Sequence, residues 1–269
     1  MMTLTHPAYG QLRQVTPSAA VVLADNPSGM TLEGTNTWLL RAPGATEYVL
    51  VDPGPKDRKH TENLVRETGG NIALTLITHK HHDHTGGIDH LVKATGTPVR
   101  AKDSQFLRGS GEVLADGEVI EAAGLRITVL ATPGHTEDSH SFLIDGPDGE
   151  QALLTGDTVL GSGTTVLESW NGALAAYLDS LDRLVAVAPG RHLLPAHGPD
   201  HADAEPVIRY YIAHREERLN QVRAALEKLG PKAGSLRIVA EVYADVDKRL
   251  WPAAQSSVKA QIEYLRSRG

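Results

Sequence analysis

Five histidines and two aspartates carry the chemistry legible in this 269-residue sequence. The segment Leu76-Ile77-Thr78-His79-Lys80-His81-His82-Asp83-His84-Thr85-Gly86-Gly87 starts as an apolar strand and ends in a Gly-Gly turn. His79, His81, Asp83 and His84 therefore fall on a loop at a strand's C-terminal end, which can aim alternate side chains at one point. At this composition the pattern His-x-His-x-Asp-His arises by chance in roughly two chains per thousand of this length. Three more candidates follow, each behind an apparent strand: His135 after Leu130-Ala131-Thr132-Pro133-Gly134, Asp157 after Leu153-Leu154-Thr155-Gly156, and His197 after Leu193-Leu194-Pro195-Ala196. Together they form the ligand set of a two-metal site. Imidazoles and carboxylates without thiolates suit two Zn²⁺ ions, with Mn²⁺ or Fe²⁺ as alternatives. Two divalent cations outweigh two aspartates and one bridging hydroxide, so such a site favours anionic substrates and the oxyanion formed on attack. A metal lowers the pKa of its water from 15.7 to about 7, which supplies hydroxide at neutral pH. Proton delivery to the leaving group then falls to Asp83, a metal-bound water or a residue outside the ligand set.

Loops of this kind need sheets behind them. Short apolar stretches rich in β-branched residues predict strands over 19–24, 37–41, 48–52, 72–78, 125–131, 141–145 and 152–155. Pro-Gly and Asp-Gly pairs punctuate them. Helical spacing predicts interleaved helices over 59–67, 87–94 and 173–187. Beyond Pro206 the texture changes to charged amphipathic helices over 210–229, 235–243 and 252–268, the last with Pro252 at its first position. The division is a catalytic α/β domain over residues 1–204 and a small helical domain over 205–269.

Composition sets the outer bounds. With 41% hydrophobic, 22% charged and only 4% aromatic residues, the chain is globular and its core must be aliphatic. No apolar run approaches the ~18 residues of a membrane span. The first 15 residues lack the basic flank and apolar stretch of a signal peptide, so a cytoplasmic protein without a membrane partner is expected. The absence of cysteine excludes disulfides and thiolate catalysis. The net charge of −7 is uneven: residues 205–269 hold 12 Lys/Arg against 8 Asp/Glu (net +4), leaving 14 against 25 (net −11) in the first 204. Solvated helix faces account for the basic tail more simply than nucleic-acid binding does.

These motifs, in this order, resemble the metallo-β-lactamase superfamily. Asp52 in Val51-Asp52-Pro53-Gly54 matches its structural aspartate, and Gly134-His135, Gly156-Asp157 and His197-Gly198 match its later motifs. The resemblance implies a four-layer αββα sandwich with metals at one edge of the sheets. It assigns His79, His81 and His135 to the first metal, Asp83, His84 and His197 to the second, and Asp157 to a bridge. It makes Asp83 and Asp157 the catalytic residues. A finer resemblance, to the branch named after β-lactamase-like protein two, rests on Asn26-Pro27, the segment from Leu32 to Trp38, Leu160-Gly161, Gly163-Thr164-Thr165, Tyr211-Ile212-Ala213-His214-Arg215 and Trp251-Pro252-Ala253-Ala254. That branch has a C-terminal winged-helix-like domain. Its members include an endoribonuclease on single-stranded RNA and thioesterases of polyketide biosynthesis. The chain departs from it at Ala196, at Lys80 and in ending at Gly269, about where a wing would start.

The expected function is dinuclear metal-dependent hydrolysis of an ester, thioester or lactone by a metal-bridging hydroxide. The alternatives are cleavage of single-stranded RNA by the same site and a non-catalytic metal-binding regulatory module. A bridging Asp157 sets the chain apart from true β-lactamases of this fold. The helical tail is expected to form a homodimer interface or to wall the active site. Among the remaining histidines, His82 is expected to point away from the metals, while His140 and His201 are candidates for the pocket wall. His6, His60, His90, His192 and His214 carry no assigned role. Lys80, Asn36, Thr164 and Thr165 are candidate substrate contacts.

Overall fold

The computed structural model describes residues 8–168 and 170–268; His6 lies outside them. Its two sheets follow from how apolar strands sort their side chains. Along β4 (Tyr48–Val51) every side chain is buried, and alternation sends Val49 and Val51 to one face and Tyr48 and Leu50 to the other. A strand buried on both faces needs a layer on each side. The first sheet runs in the order β1 (Leu12–Thr16), β2 (Ala19–Leu23), β3 (Asn36–Leu40), β4, β5 (Ile72–Leu76) and β6 (Val99–Arg100). It is antiparallel as far as β4 and parallel from β4 to β6. The second runs β11 (His192–Pro195), β10 (Gln151–Gly156), β9 (His140–Asp145), β8 (Leu125–Ala131) and β7 (Val119–Ala122), parallel only between β10 and β11.

Between the sheets lies one largely aliphatic core, in which Val49, Val51 and Leu76 meet Ile127, Val129, Phe142 and Leu154. The outer face of the first sheet is covered by α1 (Arg58–Thr68) and α3 (Ile88–Thr95) through Leu64 and Leu91. That of the second is covered by α4 (Ala173–Val187) and the start of α5 (Ala204–Leu229), through Leu181, Leu184, Ile208 and Tyr211. This is the four-layer αββα sandwich expected from the sequence. The remainder of α5 joins α6 (Ser235–Val242) and α7 (Trp251–Arg268) around a separate small core of Val222, Ile238, Val239, Val258 and Ile262. The line drawn at 204/205 thus falls where α5 begins, and that helix contributes side chains to both cores. Among the described residues no helix is long and apolar enough to cross a membrane.

One buried histidine belongs to this frame. His60 on α1 donates from Nε2 to Thr37 Oγ1 at 2.8 Å, while that hydroxyl donates onward to the Asp52 carbonyl at 2.7 Å. Its Nδ1 is buried without a partner, and burial pushes its pKa down from 6.5 to about 4, against the pull of Asp57. The unfolded chain therefore binds the proton more tightly. The stability that neutral His60 contributes is complete above pH 6.5 and is lost as pH falls towards 4, by about 3 kcal/mol. His60→Gln should flatten the fall in melting temperature across that window. An unchanged pH profile would show that His60 does not set it.

Candidate metal centre

The centre is assembled on Asp52, which directly follows β4, lies in the left-handed region (φ 56°) and is 1% exposed. Its carboxylate accepts three hydrogen bonds: from Thr78 N to Oδ1 (2.8 Å), and from Thr78 Oγ1 (2.7 Å) and His84 Nδ1 (2.8 Å) to Oδ2. Asp52 thereby fixes the loop that leaves β5. Since the Thr78 hydroxyl donates to Asp52, its oxygen accepts from His79 Nδ1 at 3.0 Å. The Thr78 carbonyl in turn accepts from His140 N of the second sheet at 2.8 Å, which ties the two sheets together at this edge. The one-turn helix α2 (His82–Thr85) then carries Asp83 and His84 inward and leaves His82 exposed.

The other loops arrive from the second sheet. At the end of β10, Gly156 takes φ 52°, and a Cβ there would lie 2.8 Å from Thr78 Cβ, so only glycine lets the Asp157 loop pass so close. Gly134 is held as tightly, with its missing Cβ 2.4 Å from that of Tyr177 on α4. His135 donates from Nδ1 to the Val166 carbonyl at 2.6 Å, with Thr165 Oγ1 at 3.1 Å. His197, beyond β11, donates from Nδ1 to the Gly34 carbonyl at 3.0 Å.

Four imidazoles thus spend Nδ1 on an acceptor behind them, which in the neutral ring leaves a bare Nε2 facing inward. The inward atoms fall into two groups. His79 Nε2 and His135 Nε2 each lie 3.0 Å from His81 Nδ1, and Asp157 Oδ2 lies 3.5 Å from His135 and 3.9 Å from His79. In the second group, Asp83 Oδ2 lies 3.3 Å from His84 Nε2 and 3.2 Å from His197 Nε2. Asp157 Oδ1 approaches the same two nitrogens at 3.6 and 3.3 Å. All seven residues singled out from the sequence meet here, each group's ligand atoms lying within 4.8 Å of one another. Tetrahedral ligands at 2.0–2.1 Å from Zn²⁺ stand about 3.3 Å apart, so both groups are of the size to hold an ion. His84 Nε2, His197 Nε2 and Asp157 Oδ1 are buried without a hydrogen-bond partner among the described residues, as atoms reserved for a cation would be.

Electrostatics point the same way. Burial lowers His197, but Asp157 and Asp83 beside it raise it to about 9; His84 is raised against burial by Asp157 and Asp52. Burial pushes Asp157 and Asp83 up, yet His197 and His84 hold both far below the usual carboxylate range. Burial lowers His79 and His135. The pocket keeps its carboxylates ionised and draws positive charge to the plane of the Nε2 atoms.

Residues 30–205 match the Metallo-beta-lactamase superfamily, and residues 235–269 match the Beta-lactamase associated winged helix domain. The chain belongs to the metallo-beta-lactamase superfamily. A Beta-lactamase-like protein 2 homolog of Drosophila melanogaster is 31% identical over 95% of this chain and 90% of its own length. An Atrochrysone carboxyl ACP thioesterase of Aspergillus chevalieri is 37% identical over 82% of this chain and 70% of its own. A Beta-lactamase domain protein from Burkholderia ambifaria shares the fold, with a TM-score of 0.83 at 22% identity over 99% of this chain and 91% of that one.

Against this superfamily frame, several candidates drawn from the sequence have other work. Asn36 donates to the Pro195 and Gly198 carbonyls at 3.0 and 2.9 Å, so it braces the His197 loop instead of facing a substrate. Thr165 is buried behind His135. His201 donates to the Gly161 carbonyl at 2.8 Å, and His140 donates to the Asp138 carbonyl at 2.7 Å. Lys80 pairs with Glu168 at 2.9 Å. Glu168 escaped the sequence reading: its other oxygen lies 3.4 Å from His81 Nε2, the outer face of the ring whose Nδ1 points inward. Nothing in its spacing marks it, since it sits in a loop 88 residues from Lys80.

Proposed function

We propose that the chain is a dinuclear metal-dependent hydrolase acting on a thioester, ester or lactone. The observation that carries this reading is the division of one buried carboxylate, Asp157, between two ligand groups, Oδ2 towards His79 and His135 and Oδ1 towards His84 and His197. His79, His81 and His135 would hold one ion, Asp83, His84 and His197 the other, with Asp157 shared. When bound, the pair supplies Lewis acidity for a carbonyl oxygen and a water acidic enough to ionise near pH 7. The chain's own residues set the rest. Asp83 is the more open carboxylate, its side chain 27% exposed against 10% for Asp157, so it meets the substrate side. Held ionised by His197 and His84 against burial, Asp83 is a weak base, so its part is to accept a hydrogen bond at its carboxylate from the attacking water and orient it.

Three observations support an acyl substrate over RNA. The net charge of −11 on residues 1–204 opposes a polyanion, which is usually held by basic side chains. The cation nearest the site by sequence, Lys80, is already paired with Glu168. The Aspergillus chevalieri relative is named a thioesterase. Zn²⁺-loaded protein should hydrolyse an aryl or acyl thioester, lose that activity to a chelator and regain it on adding Zn²⁺. A labelled single-stranded RNA should survive the same treatment. Cleavage of the RNA with the thioester and lactone intact would make it an endoribonuclease, and two bound ions with no turnover on any of them would make it a binding module.

A further inference from the structure

Arg215 lies one turn beyond Tyr211 on α5 and is only 5% exposed. Among the described residues its Nε has no hydrogen-bond partner and no carboxylate pairs with it. A guanidinium buried in this way is costly, and an apolar side chain of similar length would fill the space without that cost. What only the guanidinium adds is a hydrogen bond from Nη2 to the Thr165 carbonyl and a stack on Tyr177, 5.0 Å from the ring centroid. Its neighbours grip the same loop: Tyr177 Oη donates to the Thr158 carbonyl at 2.8 Å, and Leu160 N donates to Tyr211 Oη at 2.9 Å. Two tyrosines and one arginine thus hold the loop's backbone at residues 158, 160 and 165. The next carbonyl, that of Val166, orients His135.

We propose that Arg215 is a positioning residue for the His79, His81 and His135 half of the centre: by pinning the Thr165 peptide it fixes the acceptors that set the His135 ring. This rests on the dinuclear reading above. It gives α5, the helix that also builds the C-terminal core, a hold on the acceptors of the His135 ring, whereas towards the other half Tyr211 reaches only the His197 backbone, through Leu160 and the Gly161 N–H to the His197 carbonyl. The His84 and His197 rings are oriented by Asp52 and Gly34, which α5 does not grip in this way.

The test is stepwise Co²⁺ binding, followed by its visible absorption, in the full chain and in Arg215→Met, Arg215→Lys and Arg209→Ala. His135→Ala identifies which absorption belongs to the His135 ion. Arg215→Met should weaken that ion about tenfold or more, the size of effect that loss of an outer partner has on metal affinity, and alter its spectrum while the other ion binds as in the wild type. Arg215→Lys keeps the buried charge but not the fork, and should show a smaller loss at the same ion even if the Met variant fails to fold. Arg209→Ala removes an exposed cation from the same helix and should change neither. Equal loss at both ions, or loss at neither, overturns the proposal. A wild type that binds two Co²⁺ ions yet hydrolyses no acyl substrate would overturn the proposed function alone.

Discussion

Asp157→Ala is expected to leave less than about a thousandth of wild-type turnover, beyond the 10–100-fold that loss of an outer partner costs, and fewer than two bound ions. The reason is geometric before it is electrostatic. Among the described residues no other side chain reaches both ligand groups: Oδ2 stands 3.5 Å from His135 Nε2 and Oδ1 stands 3.3 Å from His197 Nε2. Alanine therefore removes one ligand from each group at once. It also removes a charge on which the imidazoles depend, because Asp157 is the principal influence raising His197 against burial. With that carboxylate gone, the inward nitrogens hold any cation less well. Metal content by mass spectrometry, beside hydrolysis at saturating Zn²⁺, checks both halves. A variant that kept two ions and its rate would show that Asp157 bridges nothing.

How much of this could be read in advance depended on whether a feature announces itself in side chains. The predicted helix over 173–187 coincides with α4 because its apolar residues recur at helical spacing and face a sheet. The central strands were legible as short apolar runs. Two of the edge strands were not: β1 and β7 carry Arg13, Gln14 and Glu121 on faces open to solvent, so neither alternation nor apolarity stands out. The helix predicted from 210 begins at Ala204, because Pro206 sits in the first turn, where a missing N–H breaks no helical bond, and Asp203 caps it by accepting from Glu205 N. The seven inward residues were legible because imidazoles and carboxylates at strand ends are rare together. The atoms that aim them were less so. The Gly34 and Val166 carbonyls leave no mark on a sequence, since every residue has one. Nor could periodicity tell that one face of α5 passes from the sandwich core at Tyr211 to the helical core at Val222.

Asp52→Asn probes the layer behind the ligands. Asparagine is chosen because it tolerates the positive φ that alanine would strain, so the substitution isolates the loss of charge and acceptor. Asp52 accepts from three donors with two oxygens, whereas an asparagine offers one oxygen and one NH₂. With NH₂ in the place of Oδ1, it meets Thr78 N–H donor to donor. With NH₂ in the place of Oδ2, it faces the Thr78 hydroxyl and His84 Nδ1. The hydroxyl can rotate away, but the neutral imidazole can relieve the clash only by moving its proton to Nε2, the atom that faces Asp157 and Asp83. Either arrangement costs about 1–3 kcal/mol for a mispaired buried donor, visible as a lower melting temperature in chelator. The second should also weaken the Asp83, His84 and His197 ion by about 10–100-fold, and the His79, His81 and His135 ion less, through the Thr78 hydroxyl that accepts from His79 Nδ1. The larger loss falls on the opposite ion from that expected in Arg215→Met, so the two variants together separate the main supports of the two halves. If Asp52→Asn left both melting temperature and metal affinity unchanged, the His84 ring would have to be oriented by something other than the carboxylate 2.8 Å behind it.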